Sequence, residues 1–148
     1  MVRSSVIFRE AQIEDIPALS EIRLSVTENV LTDPRKVTPE MYAAYLSVLG
    51  KGWLCEVDGD AVGFSVASLR DASIWALFVK PEYEGRGIGT RLLKMASGWL
   101  LDMGAPRITL STDANTRADR VYENQGWRRG EIKPDGEVSY RLDKSGRT

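Results

Sequence analysis

The stretch Trp75-Ala76-Leu77-Phe78-Val79-Lys80-Pro81-Glu82-Tyr83-Glu84-Gly85-Arg86-Gly87-Ile88-Gly89-Thr90-Arg91-Leu92-Leu93 runs from an apolar strand through a glycine-rich turn into a helix. Glycines let the backbone take unusual dihedrals and approach a ligand closely. The unpaired N–H groups at a helix start, reinforced by the helix dipole, attract negative oxygen. A phosphate group suits this chemistry. A Walker loop requires Gly-Lys-Ser/Thr after its spacer, and none is present. The dinucleotide fingerprint needs a glycine where this chain has Thr90, and it belongs near the first strand of a βαβ unit rather than after a hairpin. A tight strand-to-helix connection that binds nothing is the competing reading.

Outward from this stretch, the pattern predicts a mixed α/β fold. Val6 to Glu10 reads as a strand, and Asp15 caps a helix with Pro17 in its first turn and Ile16, Leu19, Ile22, Leu24 and Val26 on its apolar side. Leu31 to Lys36 reads as a loop, and Thr38-Pro39-Glu40 starts a second helix. Trp53 to Val57 and Ala61 to Leu69, joined by Asp58-Gly59-Asp60, read as a hairpin, with Ser73 to Val79 the next strand. The helix after the glycine turn ends near Met103 before Gly104 and Pro106, and Arg107 to Thr112 reads as a strand. A crossover helix between the strands at Ser73 and Arg107 implies that those two run parallel. Asn115 caps a last helix that reaches Gln125, and two short strands follow around Trp127 and from Val138 to Leu142.

Composition bounds the chemistry. The chain has 148 residues, 43% hydrophobic and 28% charged, with a formal net charge of -1. That fits one domain over residues 1–148 and offers no footprint for nucleic acid or an anionic membrane. The N-terminus has too short an apolar run for a signal peptide, so the expected location is the cytoplasm. With no histidine and one cysteine, Ser-His-Asp and Cys-His catalysis are excluded and no metal site is expected. Cys55 reads as strand packing rather than as a nucleophile.

A second segment is Asn115-Thr116-Arg117-Ala118-Asp119-Arg120-Val121-Tyr122-Glu123-Asn124-Gln125-Gly126-Trp127. Taken alone, Ala118, Val121 and Tyr122 form an inward helix stripe and Gly126 ends the helix. Together the two segments resemble the GNAT acetyltransferases, whose signatures are Gln/Arg-x-x-Gly-x-Gly/Ala at a helix start and Asn-x-x-Ala-x-x-aromatic/aliphatic-Tyr-x-x-x-Gly-aromatic. Gly87 and Gly89 fill the small positions of the first and every anchor of the second matches, while Glu84 stands where the family has Gln or Arg, with Arg86 or Arg91 as the candidate to offset its charge.

The resemblance implies a mixed, mostly antiparallel sheet of six to seven strands with about four flanking helices. It implies acetyl-CoA as cosubstrate and direct acetyl transfer to an amine in a ternary complex, the acceptor being a small-molecule or protein amine. The cofactor-binding residues it implies are Leu77, Phe78 and Val79 for pantetheine, Gly85, Arg86, Gly87, Ile88, Gly89 and Thr90 for the pyrophosphate, and Asn115 and Tyr122. Tyr122 would serve the departing thiolate. A thiol of pKa about 8.5 is the stronger acid beside a phenol of about 10, so hydrogen bonding is the firmer role. An N–H of Leu77 or Phe78 would stabilise the oxyanion. An amine of pKa about 10.4 must also lose a proton, and with no histidine the candidate base is Glu28, followed by Asp33 and Glu56. A non-catalytic acyl-CoA-binding module with the same fold is the alternative, and a homodimer stays open by analogy with the fold.

Overall fold

A computed structural model describes residues 5–26 and 37–144. In chain order its elements are β1 (Val6–Glu10), α1 (Ile16–Ser25), α2 (Pro39–Tyr45), β2 (Gly50–Val57), β3 (Asp60–Ser68), β4 (Ser73–Val79), α3 (Ile88–Asp102), β5 (Arg107–Asp113), α4 (Arg117–Asn124), β6 (Arg128–Ile132) and β7 (Glu137–Asp143). The strands form one seven-stranded sheet in the order β1-β2-β3-β4-β5-β7-β6. Every neighbouring pair is antiparallel except β4 and β5. This is the mixed, mostly antiparallel sheet that the family resemblance implies.

Local chemistry accounts for most boundaries. Asp58 and Gly59 both take positive φ, 51° and 86°, which is the twist a two-residue hairpin needs between β2 and β3. Thr38 caps α2 by accepting from the Met41 N–H at 3.2 Å. Two expected caps differ. Asp15 precedes α1, but its carboxylate accepts from Arg9 and from the Gln12 N–H instead. Ahead of α4 the capping side chain is Thr116, which accepts from the Asp119 N–H, while Asn115 sits in the left-handed region at φ 64°.

Two apolar clusters cover opposite faces of the sheet. One gathers α3 and the β5–β7 inner row, with Leu92, Leu100, Ile108 and Val138 fully buried. The other packs Leu19 and Ile22 of α1 and Tyr42 of α2 on Leu54, Phe64 and Val66. Each fully buried leucine contributes roughly 1.5–3 kcal/mol. Cys55 lies wholly buried in the first cluster, and burial pushes its thiol up, as packing implies. Leu24, expected on the apolar side of α1, is exposed because, two residues on from the buried Ile22, it lies about 200° round the helix from that face.

The seating of α3 depends on a missing side chain. A Cβ at Gly63 of β3 would stand 3.2 Å from the Leu92 side chain, 3.2 Å from the Phe78 carbonyl oxygen and 3.3 Å from Ile88. The Ser65 hydroxyl donates to the Leu92 carbonyl at 3.0 Å two residues along. Gly63 thereby lets the first two turns of α3 lie close on the sheet. We expect Gly63→Val to overpack this contact and lower stability by about 1–3 kcal/mol, read as a lower urea midpoint.

Candidate active site

The parallel pair β4 and β5 is joined at a single register point, Ser73 opposite Thr109, where the Thr109 N–H donates to the Ala72 carbonyl at 3.1 Å. Beyond that point the strands part. β4 stays paired with β3, and β5 stays paired with β7 along its whole length. Between them opens a cavity of about 570 Å³, within the size range of small-molecule and cofactor sites.

The edge of β4 that faces this gap follows from its register. Val66 pairs with Ala76 and Ala67 with Ile74, so Trp75 is an extra residue, a β-bulge. The bulge puts Trp75 and Ala76 on the same face, toward α2, and resets the alternation. Further along, the Lys80 N–H donates to the Val62 carbonyl at 2.8 Å. Antiparallel alternation then makes Ala76 and Phe78 the residues bonded to β3 and turns the N–H and C=O groups of Leu77 and Val79 toward β5, into the gap. Of the two N–H groups that the sequence left open, Leu77 and Phe78, the register turns that of Leu77 into the gap.

At the open end of the gap, α3 starts from Gly87, whose φ of 83° is left-handed and which offers no side-chain cap. The first intrahelical bond runs from the Arg91 N–H to the Gly87 carbonyl at 3.1 Å, which leaves the N–H groups of Ile88, Gly89 and Thr90 without helical partners. A Cβ at Gly87 would meet nothing within 4 Å, and one at Gly89 only Val79 at 3.6 Å, an ordinary contact. Packing within the chain therefore does not demand glycine at 89, and the space it leaves open faces the cavity. This weakens the reading of the turn as a bare connection.

Of the predicted cofactor residues, Leu77, Phe78, Val79, Gly85, Gly87, Ile88, Gly89, Thr90 and Tyr122 all line the cavity. Arg86 and Asn115 are not in its wall: the Arg86 guanidinium lies over the Tyr83 ring, 4.8 Å from its centroid. Arg91, the other candidate to offset Glu84, lies over Phe8. The cation beside Glu84 is instead Arg117, at the first position of α4, with Nε 3.9 Å from the Glu84 carboxylate. Glu56 is hydrogen-bonded to Arg9 and lines a different hollow. Glu28 and Asp33 lie outside the described residues.

Tyr122 is held by a polar network one layer behind it. Its ring packs edge-on against Tyr140, centroids 5.5 Å apart, and leans on Trp127. The Tyr140 hydroxyl donates to the buried Asp119 carboxylate, which also accepts two bonds from Arg129 at 2.9 and 2.8 Å and one from the Asn115 N–H at 2.8 Å. Asn115 thus joins the site through its backbone, as part of the brace beneath Tyr122. Arg129, with Tyr140 and the Asn115 amide, holds the Asp119 carboxyl well below the usual carboxylate range. Burial, with the bond to Asp119, pushes Tyr140 up to about 12. Burial also raises the Tyr122 phenol, so it stays protonated throughout the neutral range.

The front of the cavity was not legible in the sequence. Arg23 and Val26 reach it from the end of α1, Trp75 from the bulge, Asp113 from the end of β5 and Glu137 from β7. Apart from Trp75, which opens the glycine-turn stretch, these positions are far apart in the chain and carry no motif. Among the described residues, no group of three His, Cys, Asp or Glu side chains is placed to hold a metal, and no helix is long and apolar enough to cross a membrane.

Comparison with known proteins agrees with this architecture. The family model described as acetyltransferase (GNAT) family matches residues 17–127. An uncharacterized N-acetyltransferase of Archaeoglobus fulgidus is 35% identical over 93 residues, 56% of this chain and 63% of that protein. The thialysine N-ε-acetyltransferase of Bos taurus is 33% identical over 75 residues, 49% of this chain and 44% of that protein. The matches thus span less than two thirds of either relative. The PaiA N-acetyltransferase of Thermoplasma acidophilum, solved in complex with coenzyme A, superposes with a TM-score of 0.79 at 17% identity, covering 94% of this chain and 99% of that one.

The brace carries its own pH dependence. Because the folded-state pKa of Asp119 is depressed, its contribution is present above the unfolded value of about 3.9 and is lost as pH falls below it. We expect Asp119→Asn to cost about 2–3 kcal/mol at neutral pH and to flatten the acid limb of stability against pH, measured by urea unfolding from pH 7 downward.

Proposed function

The chain belongs to the acetyltransferase (GNAT) family, and from that membership we propose that residues 1–148 act as one domain that transfers an acetyl group from acetyl-CoA to an amine held in the front of the cavity. The observation that carries this reading is the gap between β4 and β5, with a strand edge along one side that is unpaired among the described residues and, at its mouth, a helix start with no side-chain cap. Two recognition modes meet there. Strand edges take extended amides by adding hydrogen bonds in register, and helix starts take phosphates through free N–H groups. Pantetheine and pyrophosphate are the corresponding parts of CoA.

The group supplied by the cosubstrate is an acetyl thioester. Leu77 and Val79 offer edge N–H groups to the pantetheine arm and, at Leu77, a donor for the carbonyl oxygen as negative charge grows on it. Ile88, Gly89 and Thr90 offer theirs to the pyrophosphate, with the dipole of α3 behind them. Arg117, with Nε 3.9 Å from the Glu84 carboxylate, places a cation beside the charge that departs from the family's Gln or Arg.

Tyr122 acts on the leaving sulfur. Burial lifts its pKa further above that of a thiol, so proton transfer from it is more uphill than for a free phenol. Its role is to donate a hydrogen bond that stabilises the thiolate. Glu28 is the proposed base on sequence grounds: it follows by two residues Val26, which lines the cavity. Attack is direct, since Cys55 is buried, burial raises its thiol, and the sequence has no histidine to activate it.

Three variants test these roles. Calorimetric titration with acetyl-CoA gives saturable binding that Gly87→Glu abolishes without unfolding the protein. Tyr122→Phe keeps that binding and lowers kcat by about tenfold or more, while Glu28→Gln lowers kcat by about a hundredfold or more. Binding without acceptor-dependent release of CoA thiol identifies a non-catalytic acyl-CoA-binding module instead, and no binding at all contradicts the proposal.

A further inference from the structure

Three residues behind Tyr122 have no place in the cavity wall. Asp119 and Tyr140 are buried, Arg129 is partly exposed, and none of the three lines the cavity that Tyr122 lines. Stability alone gives little reason for a charged pair in such a place, since replacing a buried ion pair by apolar residues of similar volume is often neutral or stabilising. What hydrogen bonds add over apolar packing is direction, because each weakens steeply away from its preferred angle.

The bonds run in one line towards the Tyr122 ring. Nε and Nη2 of Arg129, on β6, donate to the two Asp119 carboxylate oxygens at 2.9 and 2.8 Å, a fork that fixes the plane of the carboxylate. Tyr140, on β7, gives its hydroxyl proton to the same carboxylate, and its oxygen lies 2.7 Å from the Asp119 carbonyl oxygen. Burial, with the bond to Asp119, pushes this phenol up to about 12, so it stays a donor across the neutral range. The Tyr140 ring then meets the Tyr122 ring at 61°, centroids 5.5 Å apart. Asp119 and Tyr122 are one turn apart on the same face of α4. Tyr140 therefore touches both ends of that turn: its hydroxyl is fastened at one and its ring bears on the other.

Resting on the reading of Tyr122 as the donor to the departing sulfur, we infer that Tyr140, Asp119 and Arg129 are positioning residues, which hold the Tyr122 hydroxyl where it meets the CoA sulfur. The hydroxyl of Tyr140 is the link between the charged pair and the ring. Removing it leaves the two rings in contact but frees them to tilt, and the bond from Tyr122 to the sulfur lengthens or bends.

The sulfur of bound CoA reports this bond without any acceptor. A donor to the thiolate favours the charged form and lowers the thiol pKa. That pKa is read from the ultraviolet absorbance of the thiolate in the CoA complex against pH, with the complex of desulfo-CoA, which lacks the sulfur, as the blank. We expect Tyr122→Phe to raise it by about one pH unit and Tyr140→Phe by about half a unit. In protein that already carries Tyr122→Phe, Tyr140→Phe adds less than about 0.2 unit, because no hydroxyl is left to place. Arg129→Gln repeats the pattern, and Arg129→Lys, which keeps the charge and loses the fork, gives a smaller shift.

Equal shifts from Tyr140→Phe in the two backgrounds, or no shift from Tyr140→Phe and none from Arg129→Gln, overturn the inference, and the network is then a support of the fold alone. Loss of CoA binding in both variants overturns it in the same way. If Tyr122→Phe itself leaves the thiol pKa unchanged, the role of Tyr122 falls and the inference with it, while CoA binding by the unaltered protein keeps the transferase reading standing. Absence of that binding overturns both.

Discussion

The molecule is organised around the parting of two parallel strands. β4 and β5 share one register point, between Ser73 and Thr109, and then each commits its hydrogen bonds elsewhere, β4 to β3 and β5 to β7. Buried backbone polar groups are normally paired, so a strand edge left open in the middle of a seven-stranded sheet is a standing demand for a partner. The bulge at Trp75 decides which groups make that demand, because it resets the alternation and turns the N–H of Leu77, not of Phe78, into the gap. The same register shift turns Trp75 toward α2 and the front of the cavity.

What keeps the gap open is the rigidity of its two sides. On one side Gly63 lets α3 press close against β3, so that its uncapped start is held at the mouth of the gap. On the other, the Asp119 carboxylate draws together Arg129, Tyr140 and the Asn115 backbone and braces the ring of Tyr122 from behind. A buried carboxylate with every acceptor site met is stable only while all its partners stay in place. The brace therefore couples the position of the tyrosine to the β6–β7 hairpin, which supplies Arg129 and Tyr140.

Most of the sheet and the rear of the site were legible in the sequence because their signals are local. The glycine spacing at 85–89, the strand before it and the segment from Asn115 to Trp127 are each contiguous, and each meets its physical requirement within one turn or strand. The misreadings were also local. Asp15 and Asn115 stand where caps belong, yet Arg9 claims the carboxylate of the first and a left-handed backbone carries the second past the capping position to Thr116. Arg86 and Arg91 are nearest in sequence to Glu84, but aromatic rings hold both, and the cation that reaches it comes from α4. The front of the cavity was illegible for a different reason. Asp113 and Glu137 come together through cross-strand register and Arg23 reaches the same cavity through the packing of α1 on the sheet, which no window of sequence contains.

The central claim is that the free edge of β4 is the surface on which the cosubstrate lies. Residue-resolved amide hydrogen exchange with and without acetyl-CoA tests it most directly. The account predicts that Leu77 and Val79, together with Ile88, Gly89 and Thr90, gain protection on binding, while Ala76 and Phe78, already bonded to β3, change little. Protection that falls on Ala76 and Phe78 instead, or that leaves β4 untouched while acetyl-CoA binds, would contradict it.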